Sequence, residues 1–155
     1  MGPGRDRRLP GDNQRVVDAQ RKLVQEMFGS YNELGPIGFM DELVERDALA
    51  PDFMMEIQRD APNGGQWHGP EGFKEMAGIW LEVWDVFELH PEEPFETAPD
   101  RYLVPVRQRA VAHGSGLEID EQFFYTVEFS EGRFRRIGLF ADRPQAERYL
   151  AGEGA

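Results

Sequence analysis

The chain has 155 residues, no cysteine, and 29 Asp+Glu against 17 Lys+Arg, for a formal net charge of -12 at pH 7. That length suits one domain with a substantial core, the acidic balance opposes the counterion release that nucleic-acid binding depends on, and the lack of cysteine excludes disulfides, thiolate metal sites and a cysteine nucleophile. No apolar run approaches the roughly 20 residues that span a bilayer, and the N-terminus lacks the apolar centre of a signal peptide, so a cytoplasmic protein without nucleic-acid or membrane partners is expected.

Residues 1–12 begin MGPGRDRRLPG, carry almost nothing to bury and read as a disordered tail, with residues 153–155 as a disordered end and residues 13–152 as the domain. Asp12 is a suitable N-cap, and Val16, Leu23, Val24, Met27, Phe28 and Tyr31 follow with the spacing of a long amphipathic helix. Gly35-Pro36 breaks it, and Phe39, Leu43 and Val44 mark a second, short helix that ends before Ala50-Pro51. Phe53, Met55 and Ile57 then alternate with Met54, Glu56 and Gln58 in a first strand, although the two adjacent methionines blur the period.

The turn chemistry of residues 61–65 predicts a loop, and Gly69-Pro70-Glu71 opens a third helix with proline in its first turn and an acid near its positive end. Phe73, Met76, Ala77, Trp80 and Trp84 share one face of that helix. Core is the ordinary reading of such a stripe, and the lining of a ligand cavity is the other. Residues 87–97 contain Pro91 and Pro94 and read as an edge or bulged strand. Ala98-Pro99-Asp100-Arg101 turns into a strand over residues 102–112.

After Gly114-Ser115-Gly116, an apolar and aromatic run over residues 118–129, the turn Ser130-Glu131-Gly132 and a second run over residues 133–141 make a long hairpin, with a short helix following Asp142-Arg143. Strands of this length must curl or be covered, and a curved sheet over helices makes a pocket.

Several motifs in this order resemble one family. They are Trp67-x-Gly69-x-Glu71-Gly72, then Val106-Arg107-x-Arg109 leading to Gly114-Ser115-Gly116-x-Glu118, then Gly132-Arg133-Phe134-x-Arg136-Ile137 with Asp142-Arg143-x-x-Ala146. With them, residues 13–152 resemble the nuclear transport factor 2-like superfamily and its SnoaL-like polyketide cyclase branch. The resemblance implies an α+β fold, a cystatin-like α+β roll in which a cone-shaped, curved antiparallel sheet packs on three helices from the N-terminal half. It implies no single reaction, because the superfamily includes isomerases, dehydratases, cyclases, epoxide hydrolases and non-catalytic binding or dimerisation modules.

Strand alternation assigns the faces. Phe123, Tyr125, Val127 and Phe129 form an apolar, inward set, with Glu121 at its rim, and on the preceding strand Gln108 is the polar member of the inward set Tyr102, Val104, Val106 and Ala110. Arg107 and Arg109 fall on the other face, where they are either anion binders or partners of Glu118, Asp120 or Glu128 across strands. In ketosteroid isomerase, which the fold resembles, the base position corresponds to Ile57 and the helical tyrosine to Met27 or Phe28; neither can do that chemistry, and only Tyr125 lies where a fourth-strand donor sits. The Asp-Arg-Asp arrangement of the similar limonene-epoxide hydrolase has its residue types here in Arg107 or Arg109 with Asp120 or Glu128, on the wrong face.

His68, in the loop before the third helix, is either simply exposed or overlooks the mouth as acid, base or gate, while His90 and His113 at strand ends have no evident partner. No metal-ligand spacing, phosphate loop or serine-hydrolase elbow is present, so no cofactor is expected. The ligand-lining candidates are Met27, Tyr31, Met55, Trp80, Trp84, Gln108, Phe123 and Tyr125, with Tyr125, Glu121 and His68 as catalytic candidates and Glu56 as another acid/base. Two functions stay open. One is binding of a small apolar or aromatic molecule, with isomerase, cyclase or hydrolase activity undecided. The other is a non-catalytic association module that homodimerises through the convex sheet face with Arg107, Arg109, Gln122, Thr126 and Glu128.

Overall fold

Helix α1 (Pro10–Glu45) bends sharply at Gly35, whose φ of 77° and ψ of 172° lie outside helical space. Only glycine adopts that left-handed φ without strain, and Pro36, which has no N–H to lose, starts the second limb. Ser30 Oγ donates to Glu42 Oε1 across the elbow at 3.0 Å. The two expected helices are these two limbs. The computed structural model describes residues 10–58, 60–61 and 64–152. The expected tail and C-terminal end therefore lie outside the described residues, except that Pro10 to Asp12 already belong to α1.

Beyond α1 come β1 (Leu49–Ile57), β2 (Gly65–His68), α2 (Gly69–Val83), β3 (Trp84–Pro91), β4 (Phe95–Ala98), β5 (Arg101–Ala112), β6 (Glu118–Ser130), β7 (Arg133–Phe140) and α3 (Arg143–Leu150). The strands form one sheet of order β2-β1-β7-β6-β5-β3, with β4 also paired to β5. The sheet is mixed rather than antiparallel throughout, because β1 runs parallel to β7. A parallel pair needs a long crossover, and nearly all of the chain after β1 supplies it.

Three local differences from the sequence reading matter for the site. β2 is an added strand, too short for periodicity to reveal. The expected edge strand over residues 87–97 is two strands, β3 and β4, interrupted between Pro91 and Phe95. Trp84 is not on the third helix: α2 ends at Val83, and Trp84 is extended (φ -119°, ψ 129°) as the first residue of β3.

The curved sheet is packed on both faces. Its concave face meets α1 and α2 through Phe28, Met55, Met76, Val104, Tyr125 and Ile137 among others. Across the strands this face reads Val104–Tyr125–Leu139–Ile57 in one row and Leu89–Gln108–Glu121 in another. The convex face carries α3, whose Ala146, Tyr149 and Leu150 cluster with Leu103 and Phe140, while Arg101 Nη1 holds the Leu150 carbonyl at 2.6 Å.

Candidate functional site

The concave face and the two long helices enclose a cone with two distinct spaces. The deep one, lined by Met27, Phe28, Tyr31, Phe39, Met55, Phe73, Trp80, Leu89, Tyr125 and Ile137, is a cavity of only about 20 Å³, room for about one water. The mouth is a cleft of about 300 Å³ lined by Ile57, Gln58, Ala61, Trp80, Val83, Trp84, Phe87, Gln108, Phe123, Leu139 and Ala141. The eight residues expected to line one pocket are therefore divided. Met27, Tyr31, Met55 and Tyr125 are deep, Trp84, Gln108 and Phe123 are at the mouth, and Trp80 belongs to both.

Aromatic packing explains why the deep part is nearly full. Phe28 meets Tyr125 edge-on at 5.3 Å and Tyr31 meets Phe39 at 5.7 Å. Trp80 stacks on Phe87 at 5.2 Å with 24° between the rings, so a flat aromatic wall separates the deep cavity from the cleft. Phe87 and Leu89 were missed as lining residues because the prolines of residues 87–97 hid the alternation of β3; its apolar positions at every second residue were the available signal.

Two buried polar contacts lie on the concave side: the Tyr125 hydroxyl donates to Gln108 Oε1 at 3.0 Å, and the Tyr102 hydroxyl donates to Gln20 Oε1 on α1 at 2.7 Å. Val104 and Gln108 alternate onto the same face of β5, and the register places Tyr125 beside Val104, within reach of the longer Gln108 side chain. Burial pushes the Tyr125 phenol well above its usual range, with nearby Tyr31 adding to the shift, and burial likewise raises Tyr31. Both therefore remain neutral hydrogen-bonding groups at physiological pH and do not serve as bases. Among the described residues no ionisable group lines the cleft, and the deep cavity contains only these two phenols.

The catalytic candidates are not brought together. Glu121 sits opposite Gln108 on the concave face but is exposed at the rim, outside both linings. His68 is opposite Met54 and so shares the convex side; it is exposed and does not overlook the mouth, whereas its neighbour Trp67, opposite Met55, turns inward. Glu56 is fully buried on the convex side, so it is not a pocket acid. His113 does have a partner, Asp85 Oδ1 at 2.7 Å from its Nδ1, and His90 Nε2 lies 3.5 Å from Glu88, both pairs well exposed. Arg107 pairs with Asp120 at 2.7 Å, and Arg109 with Glu88 and Glu118, outside the cone as expected. Among the described residues no group of three or more His, Cys, Asp or Glu is arranged to hold a metal ion.

No family model and no curated protein matches the chain, but solved structures do. A protein of unknown function from Burkholderia pseudomallei, described as nuclear transport factor 2-like, superposes with a TM-score of 0.63 at 21% identity, over 83% of this chain and 95% of its own. The chain has the nuclear transport factor 2-like fold. A second structure with this fold, a putative SnoaL-like polyketide cyclase from a Jannaschia species, gives a TM-score of 0.60 at 18% identity over 96% of this chain and 98% of its own. TerC, co-crystallised with polyporic acid, gives 0.62 at 17% identity over 90% and 98%. Identities this low establish the nuclear transport factor 2-like cone and not an activity. Among the described residues no helix is long and apolar enough to cross a membrane.

Proposed function

We propose that the protein binds a small apolar or aromatic molecule at the mouth of its cone. The observation that carries this reading is the cleft of about 300 Å³, which combines Trp80, Trp84, Phe87 and Phe123 with the Gln108 amide. Ligand sites are typically concave, mostly apolar and supplied with a few placed polar groups. The co-crystallisation of TerC with polyporic acid, and of a ketosteroid isomerase-like neighbour from Catenulispora acidiphila with trimethylamine, supports small-molecule binding by this fold. Among the described residues no carboxylate or imidazole lines the cleft, so binding is the function proposed and turnover is not. A cytoplasmic location is part of the same proposal.

A thermal-shift screen against steroids, polyketide-like aromatics, terpene epoxides and aromatic acids tests it. A ligand at about a hundred times its Kd stabilises by about 2.7 kcal/mol, or roughly 5–10 °C for a domain of this size. Absence of any shift across the panel counts against the reading.

The second reading, a homodimerising module, is favoured by the nearly filled deep cavity of about 20 Å³. Its surface is narrower than the alternation of β6 suggests: Thr126 is 1% exposed and unavailable, which leaves Arg107, Arg109 and Gln122 on the open part of the convex face. A dimer in sedimentation that Arg107→Glu dissolves supports that module.

A further inference from the structure

Gln108 gives the cleft a direction of hydrogen bonding. Tyr125 is sealed in the core, and Gln108 Oε1 is the hydrogen-bond acceptor its hydroxyl finds among the described residues. Because the buried phenol keeps its proton, turning the amide round would leave that O–H unpaired, at a cost of a few times the thermal energy. The amide oxygen is therefore held inward and the NH2 group outward. The amide nitrogen makes no hydrogen bond to the protein among the described residues, yet it is not one of the sealed, unpartnered atoms. Since Gln108 lines the cleft, its N–H groups open there.

The rest of the lining narrows the ligand. Gln58, the other described amide, is partly occupied, with one Nε2–H donating to Asp60 Oδ1 at 2.6 Å and Oε1 accepting the Ala141 N–H at 2.8 Å. Among the described residues no charged side chain lines the cleft, so an ionised ligand finds no counter-charge from them. The stacked Trp80 and Phe87 rings present flat apolar surface beside the Gln108 donors.

We propose that the cleft selects uncharged aromatic molecules bearing a carbonyl or ether oxygen, which the Gln108 NH2 group receives while the ring lies against Trp80 and Phe87. Tyr125 is the positioning residue: it touches no ligand and acts by locking the amide. The proposal rests on the cleft being the ligand site, and goes beyond it by naming the group that is read and the residue that reads it.

The test is a chemical-shift titration of the full chain with tetralin and with 1-tetralone, which differ by one carbonyl. We expect 1-tetralone to bind about tenfold more tightly, the equivalent of one well-placed hydrogen bond. Gln108→Met, close in length and bulk, abolishes that preference and leaves tetralin affinity unchanged. Tyr125→Phe frees the amide to turn and lowers the preference to about two- to threefold, again with tetralin unaffected. A residue with only a structural role would weaken both probes in parallel. Equal affinities of the unsubstituted protein for the two probes, or a preference that survives both substitutions, overturns the proposal and leaves the cleft as a ligand site. Failure of both probes to bind overturns the cleft reading and the proposal with it.

Discussion

Along β6, Phe123 lines a cleft of about 300 Å³, whereas Thr126, three residues on and facing the other way, is 1% exposed against Gly138. The two faces of the sheet solve opposite problems. On the concave side the Tyr125 hydroxyl is paired with Gln108 Oε1, and space is left at the mouth. On the convex side one row runs Leu103–Thr126–Gly138–Glu56–Gln66 across five strands. There space has gone and polar atoms are stranded: Thr126 Oγ1, Glu56 Oε2 and the Tyr149 hydroxyl are buried without a hydrogen-bond partner among the described residues. A polar group left open at the mouth can pair with water or a ligand, whereas one sealed beneath α3 cannot and costs stability.

The sharpest way to break this contrast is Gly138→Ala. A Cβ there would lie 2.3 Å from Thr126 Oγ1 and 2.8 Å from Phe140 Cε1, and overpacking of this kind costs about 1–3 kcal/mol. Urea unfolding measures it, and a loss below about 0.5 kcal/mol would mean that the convex packing yields easily. Next in size is Glu56→Met. The carboxylate is fully buried and held by one hydrogen bond, Gln66 Nε2 to Oε1 at 3.1 Å. An apolar side chain of similar volume in its place is expected to stabilise by about 1 kcal/mol. A clear destabilisation in the same assay would reveal a partner for Oε2. On the concave side, Val83→Phe fills the cleft from a residue that is 45% exposed. Stability should change by less than about 0.5 kcal/mol, while the ligand-induced thermal shift disappears. If the shift persists, the ligand lies elsewhere.

How far the sequence carries depends on whether a strand has one buried face or two. β6 and β7 are legible because long aromatic runs flank a turn with Gly132, and the inward placement of Gln108 and Tyr125 follows from simple alternation. β1 defeats that logic: Phe53 to Ile57 are all buried, on both faces of the strand, so nothing in the residue types marks Glu56 as convex. His68 is misplaced for a related reason, because β2 has only four residues and its orientation is set by its register with β1. Trp84 keeps helical spacing from Trp80 and Ala77 but falls just past the last turn, where boundaries are least determined by local chemistry. That α3 would lie on the convex face, and thereby bury Thr126, is a long-range packing outcome with no local signature.

The smallest expected effect is a pH dependence that distinguishes the faces by their tyrosines. Burial, with the Glu56 carboxylate adding to it, lifts the Tyr149 phenol to about 12; the Arg136 guanidinium opposes the shift, although the hydroxyl finds no partner at hydrogen-bonding geometry. An unfolded tyrosine ionises near 10. Because the folded value is the higher, the stabilising contribution of Tyr149 is fully present below about pH 10 and is lost as pH rises from there through about 12. Tyr31 and Tyr125 on the concave side are raised as well and add to the same alkaline loss, so the unsubstituted protein should weaken steadily above pH 10. Tyr149→Phe removes only the convex share. At pH 7 it should be neutral or slightly stabilising, since the lost hydroxyl had no partner to give up, and above pH 10 its stability should fall less steeply than that of the unsubstituted chain. Tyr125→Phe should flatten the same limb but lose stability at pH 7, because whichever end of the Gln108 amide then faces inward has no partner there. Denaturation curves taken from pH 7 to 11 separate the two. Identical alkaline slopes for Tyr149→Phe and the unsubstituted chain would mean that α3 opens and lets Tyr149 ionise in water before the sheet unfolds, leaving the concave tyrosines as the ones the fold protects to its limit.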